Sequence, residues 1–287
     1  MSFLESPCAP VCQNLGYCEC SPTCACVCPP GYYGQDCSIQ QNGLGTNVEI
    51  FWPLTSDTIG ALAARNFYAD DMSGNENNLN LTNAAFAQGP VELSGGAADY
   101  TAIYFNGERA AALGQASFAP AISSASSFTI ILYFRYTHEP TDKQVPLLSF
   151  ASPNGSPLSA TSFFLDDSTG HIMYNPGQFL LHHEGTLLTE DWGDWIAIKI
   201  AYNASSGMMG TSGNNEHPLM SSPVSIVPTA EFFLGLRDDT DTIADMEVTC
   251  IGIYNTLYTP ALANQHSKSC AIATKQSNQI DKKIVLS

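Results

Sequence analysis

The chain has 287 residues, 44% of them apolar and only 13% charged, and its 10 basic and 27 acidic residues give a net charge of −17. That size and apolar share suffice for one large all-β domain plus a small unit, or for two ordinary domains. The acidic balance argues against nucleic acid as a partner, since phosphate neutralisation needs clustered Lys and Arg; none occurs before Arg65 or between Lys143 and Lys199. No apolar run approaches the length that spans a bilayer, so no membrane span is expected.

Eight of the ten cysteines lie between Cys8 and Cys37, and the other two are Cys250 and Cys270. Zinc sites usually combine CxxC pairs with histidine. Here the close spacings are C-x-C and the first histidine is His138. The pattern reads as a disulfide framework, and with it an oxidising, extracellular compartment. The opening residues, Met1 to Ser6, show neither a basic start nor an apolar core. A leader is therefore not visible, and the chain is expected to be secreted or a part of a larger extracellular chain. Residues 1–41 have almost no apolar periodicity, so their order must come from cross-links, each contributing ~2–4 kcal/mol. The polar stretch Gln40 to Gly45 marks the boundary with a second unit at 42–287, which includes a C-terminal extension.

In that second unit short β-prone runs alternate with Gly, Asn, Pro and Ser turns, the rhythm of a sandwich. Strands are expected at Val48–Trp52, Thr101–Phe105, Ser127–Tyr136, Val145–Phe150 and Ser162–Leu165. Others are expected at His171–Tyr174, Trp195–Tyr202, Ala230–Leu236 and Met246–Tyr254. The run from Phe128 to Tyr136 is almost wholly apolar or aromatic, so both its faces must be covered. Trp195–Tyr202 alternates more, with Lys199 pointing outward and Trp195 in the core. One short helix is expected over Thr259–Lys268, with Thr259-Pro260 as N-cap and first helical position. A bridge between Cys250 and Cys270 would pin that helix to the closing strand and leave no odd cysteine.

The stretch from Cys26 to Cys37, with Cys28 and the turn Gly31-Tyr32-Tyr33-Gly34, resembles the closing half of an EGF-like domain; Cys8-x3-Cys12-x5-Cys18 resembles the opening half of the compact, tenascin-like subtype. The resemblance implies Cys8–Cys18, Cys12–Cys26 and Cys28–Cys37, with the extra Cys20–Cys24 closing an inserted loop. Eight cysteines allow 105 connectivities, and the alternative with Cys24 as the fourth framework position stays open. The implied role is that of a spacer.

Beyond the boundary, Val48 to Leu54, the turn Asp70 to Leu79, Ala102 to Gly107, Ser127 to Ile130 and Cys250 to Asn255 resemble, in order, the motifs of the laminin-G-like, concanavalin A-like jelly-roll superfamily. The fold expected is thus all-β: a small disulfide-rich EGF-like module followed by an antiparallel laminin-G-like sandwich. Relatives often hold a structural Ca2+ at the Asp71-x-Ser73-Gly74-Asn75-x-Asn77 turn, which makes Asp71, Asn75 and Asn77 candidate ligands. The acid that relatives add from the closing strand falls here on Thr249 or Cys250, and Asp245 and Glu247 stand as substitutes.

Some members of that superfamily are glycosidases, which commonly carry E-x-D-x-x-E on one strand. No such string occurs, and no G-x-S-x-G accompanies the pair His182-His183. No enzyme is expected. Asp238, Asp239 and Asp241 read as a solvated turn, and Trp192 with Trp195 as a possible sugar-stacking platform. Sequons at Asn80, Asn154 and Asn203 are candidate glycosylation sites. The function expected is that of an extracellular adhesion or matrix module for a protein or glycan partner. The alternatives are a self-associating structural subunit of a fibre or coat, and a calcium-dependent lectin.

Overall fold

A computed structural model describes residues 17–20, 24–27, 32–33, 39–40, 47–55, 58–63, 66–75, 77–82, 84–90, 101–106, 112–115, 126–137, 144–151, 161–166, 171–175, 179–181, 193–212, 222–223, 231–234 and 245–270. In the cysteine segment, β1 (Tyr17–Cys20) pairs with β2 (Cys24–Val27), and β3 (Tyr32–Tyr33) with β4 (Ile39–Gln40). The first register sets Cys18 opposite Cys26 and Cys20 opposite Cys24. Cys8, Cys12, Cys28 and Cys37 lie outside the described residues.

The remaining strands run β5 (Val48–Trp52), β6 (Ile59–Ala63), β7 (Asn66–Ala69), β8 (Leu79–Thr82), β9 (Ala85–Gln88), β10 (Thr101–Asn106), β11 (Ala112–Gln115), β12 (Phe128–Tyr136) and β13 (Gln144–Ala151). They continue with β14 (Thr161–Asp166), β15 (His171–Asn175), β16 (Phe179–Leu181), β17 (Ile196–Asn203), β18 (Met208–Ser212), β19 (Ser222–Pro223), β20 (Glu231–Leu234) and β21 (Asp245–Tyr254). All pair antiparallel, in two sheets. An eight-stranded sheet runs β19-β18-β17-β12-β21-β10-β9, with β5 also on β21; a nine-stranded sheet runs β16-β15-β14-β13-β20-β11-β8-β7-β6.

The core lies between the two sheets. Phe128, Ile130, Leu132, Phe134 and Tyr136, every second residue of β12, are buried there beside Leu79, Leu81, Leu148, Phe163 and Leu234 of the other sheet. Each such side chain contributes ~1.5–3 kcal/mol on leaving water. The alternate β12 residues face outward, yet Thr129 and Ile131 are buried and Tyr133 and Arg135 half-buried. Ile131 packs against Tyr254 and Leu262, and Tyr133 against Phe51, Met72, Cys250 and Cys270. This outer cover explains why the sequence of β12 is apolar on both faces.

Residues 260–270 form the helix α1, and Leu262, His266 and Cys270, four residues apart, are buried together with Ser269. Thr259 caps it, its Oγ1 accepting from the Leu262 N–H at 3.1 Å. The Cys250–Cys270 disulfide ties the helix to β21.

β21 changes face halfway along. Met246 and Val248 point into the core, and so do Ile251 and Ile253, an odd step that needs one extra residue. The register against β12 slips there, Ile131 facing Gly252 but Tyr133 facing Thr249. Cys250 takes up the slip with φ of 45°. Its own N–H donates to the Pro53 carbonyl, which also accepts from Thr249 Oγ1. The bulge therefore turns Thr249 and Cys250 both to the outer side, beneath α1.

Candidate functional site

The outer face of the eight-stranded sheet carries two places where polar chemistry concentrates. One is the turn that follows β7. Asp71 Oδ1 accepts from the N–H groups of Phe51 (3.0 Å) and Ser73 (2.9 Å), and Oδ2 from Ser73 Oγ (2.8 Å) and the Asn77 N–H (3.1 Å). A carboxylate has about four acceptor positions, and all four are taken. The single Ser73 hydroxyl proton is shared between Asp71 Oδ2 and the Glu49 carbonyl, 2.9 Å away, which also accepts from the side-chain amides of Asn75 and Asn77 at 2.9 and 3.4 Å. Trp52 Nε1 donates to the Asn77 carbonyl at 2.8 Å. The turn is a knot that fastens residues 71–78 onto β5. Next to it, burial first and the Asp71 charge second push the Asp70 carboxyl above its ordinary value.

The calcium set expected from the sequence is not assembled here. Asp71 has no oxygen to offer a cation without surrendering a hydrogen bond, and Asn75 and Asn77 turn amide nitrogens inward. Glu247 is ion-paired with Arg135 instead. Phe51, whose N–H Asp71 holds, faces Gly252, five residues further along β21 than Glu247, which is roughly 15 Å of strand. Asp245 starts β21, opposite Asn106, and is more distant still. The residues present do not fit Ca2+, whose oxygen ligands must lie within ~2.6 Å of one ion.

The second place is a row across four strands. Tyr104 on β10 faces Glu247 on β21, which faces Arg135 on β12. The Arg135 guanidinium lies 5.2 Å from the ring centroid of Trp195, the residue before β17. The Arg135 side chain is 29% exposed and that of Glu247 10%, while Tyr104 and Trp195 are half-buried. Trp195 is thus a member of this face and not, as its strand-start position suggests, of the core; among the described residues the tryptophan buried in the core is Trp52. The pairing of Arg135 with Glu247 and the geometry of the row were not visible in a sequence where the partners lie 112 residues apart. Lys199 does face outward, yet it is buried, with its Nζ 5.7 Å from the Tyr258 ring.

Between these two places, under α1, lies His266. It is fully buried; Nδ1 is 2.7 Å from the Tyr254 hydroxyl and Nε2 3.1 Å from the Cys250 carbonyl. A carbonyl only accepts, so Nε2 carries the proton and Nδ1 accepts from Tyr254. Burial holds the imidazole neutral, lowering its pKa to about 3, against a smaller upward pull from the Cys250 carbonyl. Burial likewise raises the Tyr254 phenol. Tyr133 stacks on the imidazole at 6.0 Å between centroids, and its hydroxyl reaches Ser267 Oγ at 2.7 Å.

Of the sequons, Asn203 closes β17 in an exposed turn, its Oδ1 accepting from Ser205 N and Oγ. Asn80 sits in β8 between β7 and β11, half-buried in mid-sheet. Asn154, Trp192, His182, His183, Asp238, Asp239 and Asp241 lie outside the described residues. No helix among the described residues is long and apolar enough to cross a membrane.

No family model matches the chain, and no curated protein sequence matches it. Solved structures do match. Domain 4 of an extracellular arabinanase from Geobacillus stearothermophilus, in complex with arabinotriose, aligns with 14% identity and a TM-score of 0.55 over 78% of this chain and 98% of its own. The binding domain of Paraclostridial Mosquitocidal Protein 1 aligns with 15% identity and a TM-score of 0.54, over 79% of this chain and 52% of that one. A Trypanosoma rangeli sialidase aligns with 12% identity and a TM-score of 0.48, over 81% of this chain and 33% of its own. The chain thus spans about a third of the sialidase and about half of the mosquitocidal protein's binding domain. The expectation that the chain is no enzyme does not stand, because enzyme chains are among those matched. At a TM-score of 0.48 the match carries no argument for sialidase chemistry. The likenesses to the arabinanase domain and to the mosquitocidal protein's binding domain establish the fold: an antiparallel β-sandwich of jelly-roll character.

Proposed function

We propose that the chain is an extracellular recognition module that binds a glycan across the outer face of its eight-stranded sheet. The observation that carries this reading is the row Tyr104, Glu247, Arg135 and Trp195. It joins two half-buried aromatics to a hydrogen-bonding ion pair, the combination that orients a sugar ring by stacking and by its hydroxyls. Support in kind comes from two domains of the same fold, one solved with arabinotriose and one titled a binding domain. In this reading residues 1–41 are an EGF-like spacer and 42–287 a laminin-G-like sandwich, secreted and serving adhesion or matrix assembly.

The test is a glycan array probed with the full chain, then with Trp195→Ala and Glu247→Gln. Either substitution is expected to weaken binding tenfold or more, since a stacked aromatic or a buried charged hydrogen bond is worth at least ~1.4 kcal/mol. Binding that survives both substitutions unchanged, or no binding to any sugar, sinks the reading.

A second reading, self-association, is favoured by β9. This strand ends the path of its sheet among the described residues, is uncharged, and exposes 47% of Phe86. It predicts a sedimentation coefficient that rises with concentration and falls back to that of a monomer in Phe86→Lys.

A further inference from the structure

The Cys250–Cys270 disulfide lies against His266, and the three side chains place one donor atom each within 4.8 Å of one another, all fully buried. We propose that the reduced form of the chain is a metal-binding form, in which the thiolates of Cys250 and Cys270 and a ring nitrogen of His266 hold one Zn2+. The balance is simple. A dithiol reductant supplies two electrons and two protons and opens the disulfide to two thiols. Zn2+ then displaces both thiol protons, and the reductant leaves as its own cyclic disulfide.

Three observations support the site. His266 and Cys270 stand four residues apart on α1, the helical spacing that brings two ligands onto one face. Tetrahedral Zn–S bonds of ~2.3 Å set two sulfurs ~3.8 Å apart, so the pair has to separate by only about 2 Å. Finally, the donors are held by contacts other than the disulfide. The Cys250 N–H is fixed on the Pro53 carbonyl and its own carbonyl on His266 Nε2. The helix is held by Leu262 against Ile131 and Tyr254, and by Ser267 on the Tyr133 hydroxyl. Whichever ring nitrogen ligates, the other keeps a partner of the kind that orients metal-bound histidines: Nε2–H with the Cys250 carbonyl, or Nδ1 with the Tyr254 hydroxyl. When Nδ1 ligates, that hydroxyl, 2.7 Å from Nδ1, is an oxygen at hand for the fourth position.

The experiment uses the full chain, reduced with a dithiol that is then removed under anaerobic conditions. Iodoacetamide alkylation is followed at each cysteine by peptide mass mapping, with and without added Zn2+, so the cysteines of residues 8–37 are read separately. Zn2+ at ~10 times its dissociation constant is expected to slow alkylation of Cys250 and Cys270 together by about tenfold. His266→Gln is expected to abolish that protection, its oxidised form being checked for a native melting transition. In the wild type, Co2+ in place of Zn2+ is expected to give sulfur-to-cobalt charge-transfer absorption that His266→Gln reduces by one site. Equal alkylation rates with and without Zn2+ in the wild-type chain overturn the proposal, whatever the variant does.

Discussion

Gly252 lies in close contact with His266 of the helix, and replacing it with alanine tests how closely α1 is fitted to the sheet. A Cβ at that position would meet His266 Nδ1 and the Cε2 and hydroxyl of Tyr254, each at 2.7 Å. Ordinary contacts lie near 3.5–4.0 Å, so a gap of about 1 Å must open. None of the three atoms can swing away. The imidazole is held at both nitrogens and stacked on Tyr133, and Tyr254 is 1% exposed. Overpacking of this kind costs about 1–3 kcal/mol, and losing the Tyr254–His266 hydrogen bond a further ~1 kcal/mol. Against that, alanine returns ~0.4–1 kcal/mol through the unfolded chain. A net loss of about 2 kcal/mol is expected, lowering Tm by about 4–8 °C for a domain of this size. The assay is a urea titration of the wild type, Gly252→Ala, His266→Ala and the double variant. In the double variant the alanine has room, so its penalty should fall by ~1 kcal/mol or more relative to the sum of the singles. Additive losses, or an unchanged midpoint in Gly252→Ala alone, refute the argument.

Three further outcomes are expected. His266 is neutral in the folded chain down to about pH 3 but takes up a proton near pH 6.5 when unfolded. The unfolded state therefore binds more protons across that window, and stability falls by up to ~1.4 kcal/mol per unit as pH drops from 6 toward 3; urea midpoints should decline less steeply in His266→Gln. Asp71→Ala leaves the N–H groups of Phe51, Ser73 and Asn77 without this acceptor, while Ser73 Oγ keeps the Glu49 carbonyl, and should cost about 2–4 kcal/mol. Millimolar Ca2+ or a chelator should not shift the melting temperature of the wild type, and a rise in Ca2+ would show the carboxylate is not saturated. In the cysteine segment, directly opposed strand residues have Cα atoms ~4.5–5.5 Å apart, within disulfide reach. Peptide mapping should find Cys20–Cys24, while a Cys18–Cys26 bridge would remove the EGF-like reading.

How far the sequence could be read depends on where the information lies. β12 was legible because its apolar run has only one meaning, a strand covered on both sides, and Leu262, Tyr254 and Phe51 supply that cover. The helix was legible from Thr259-Pro260, whose capping is a local matter. Strands such as β6 (Ile-Gly-Ala-Leu-Ala) and β8 (Leu-Asn-Leu-Thr) were not, because short runs with Gly, Ala and Asn lack β preference and owe their state to neighbours in the sheet. The bulge did leave a trace: the apolar beat of Met246 and Val248 resumes one residue late at Ile251 and Ile253. The site was the least legible part. Asp71 looks the same in sequence whether its lone pairs meet a cation or four N–H and O–H groups. Glu247 gains Arg135 only through strand pairing.

β21 also sets the order in which the sandwich can form. Its first half pairs with β10 and its second half with β5, while β12 runs along the other side. The first strand of the sandwich and its seventeenth are thus neighbours, some 200 residues apart in the chain. During synthesis β5 has no ladder to join until residues 251–254 have left the ribosome. The apolar strands β5 and β12 must wait for that moment with open edges, which makes slow folding and transient dependence on chaperones a consequence of topology. A stop codon placed before Asp245 would therefore do more than trim the chain: it would strand three sticky edges at once.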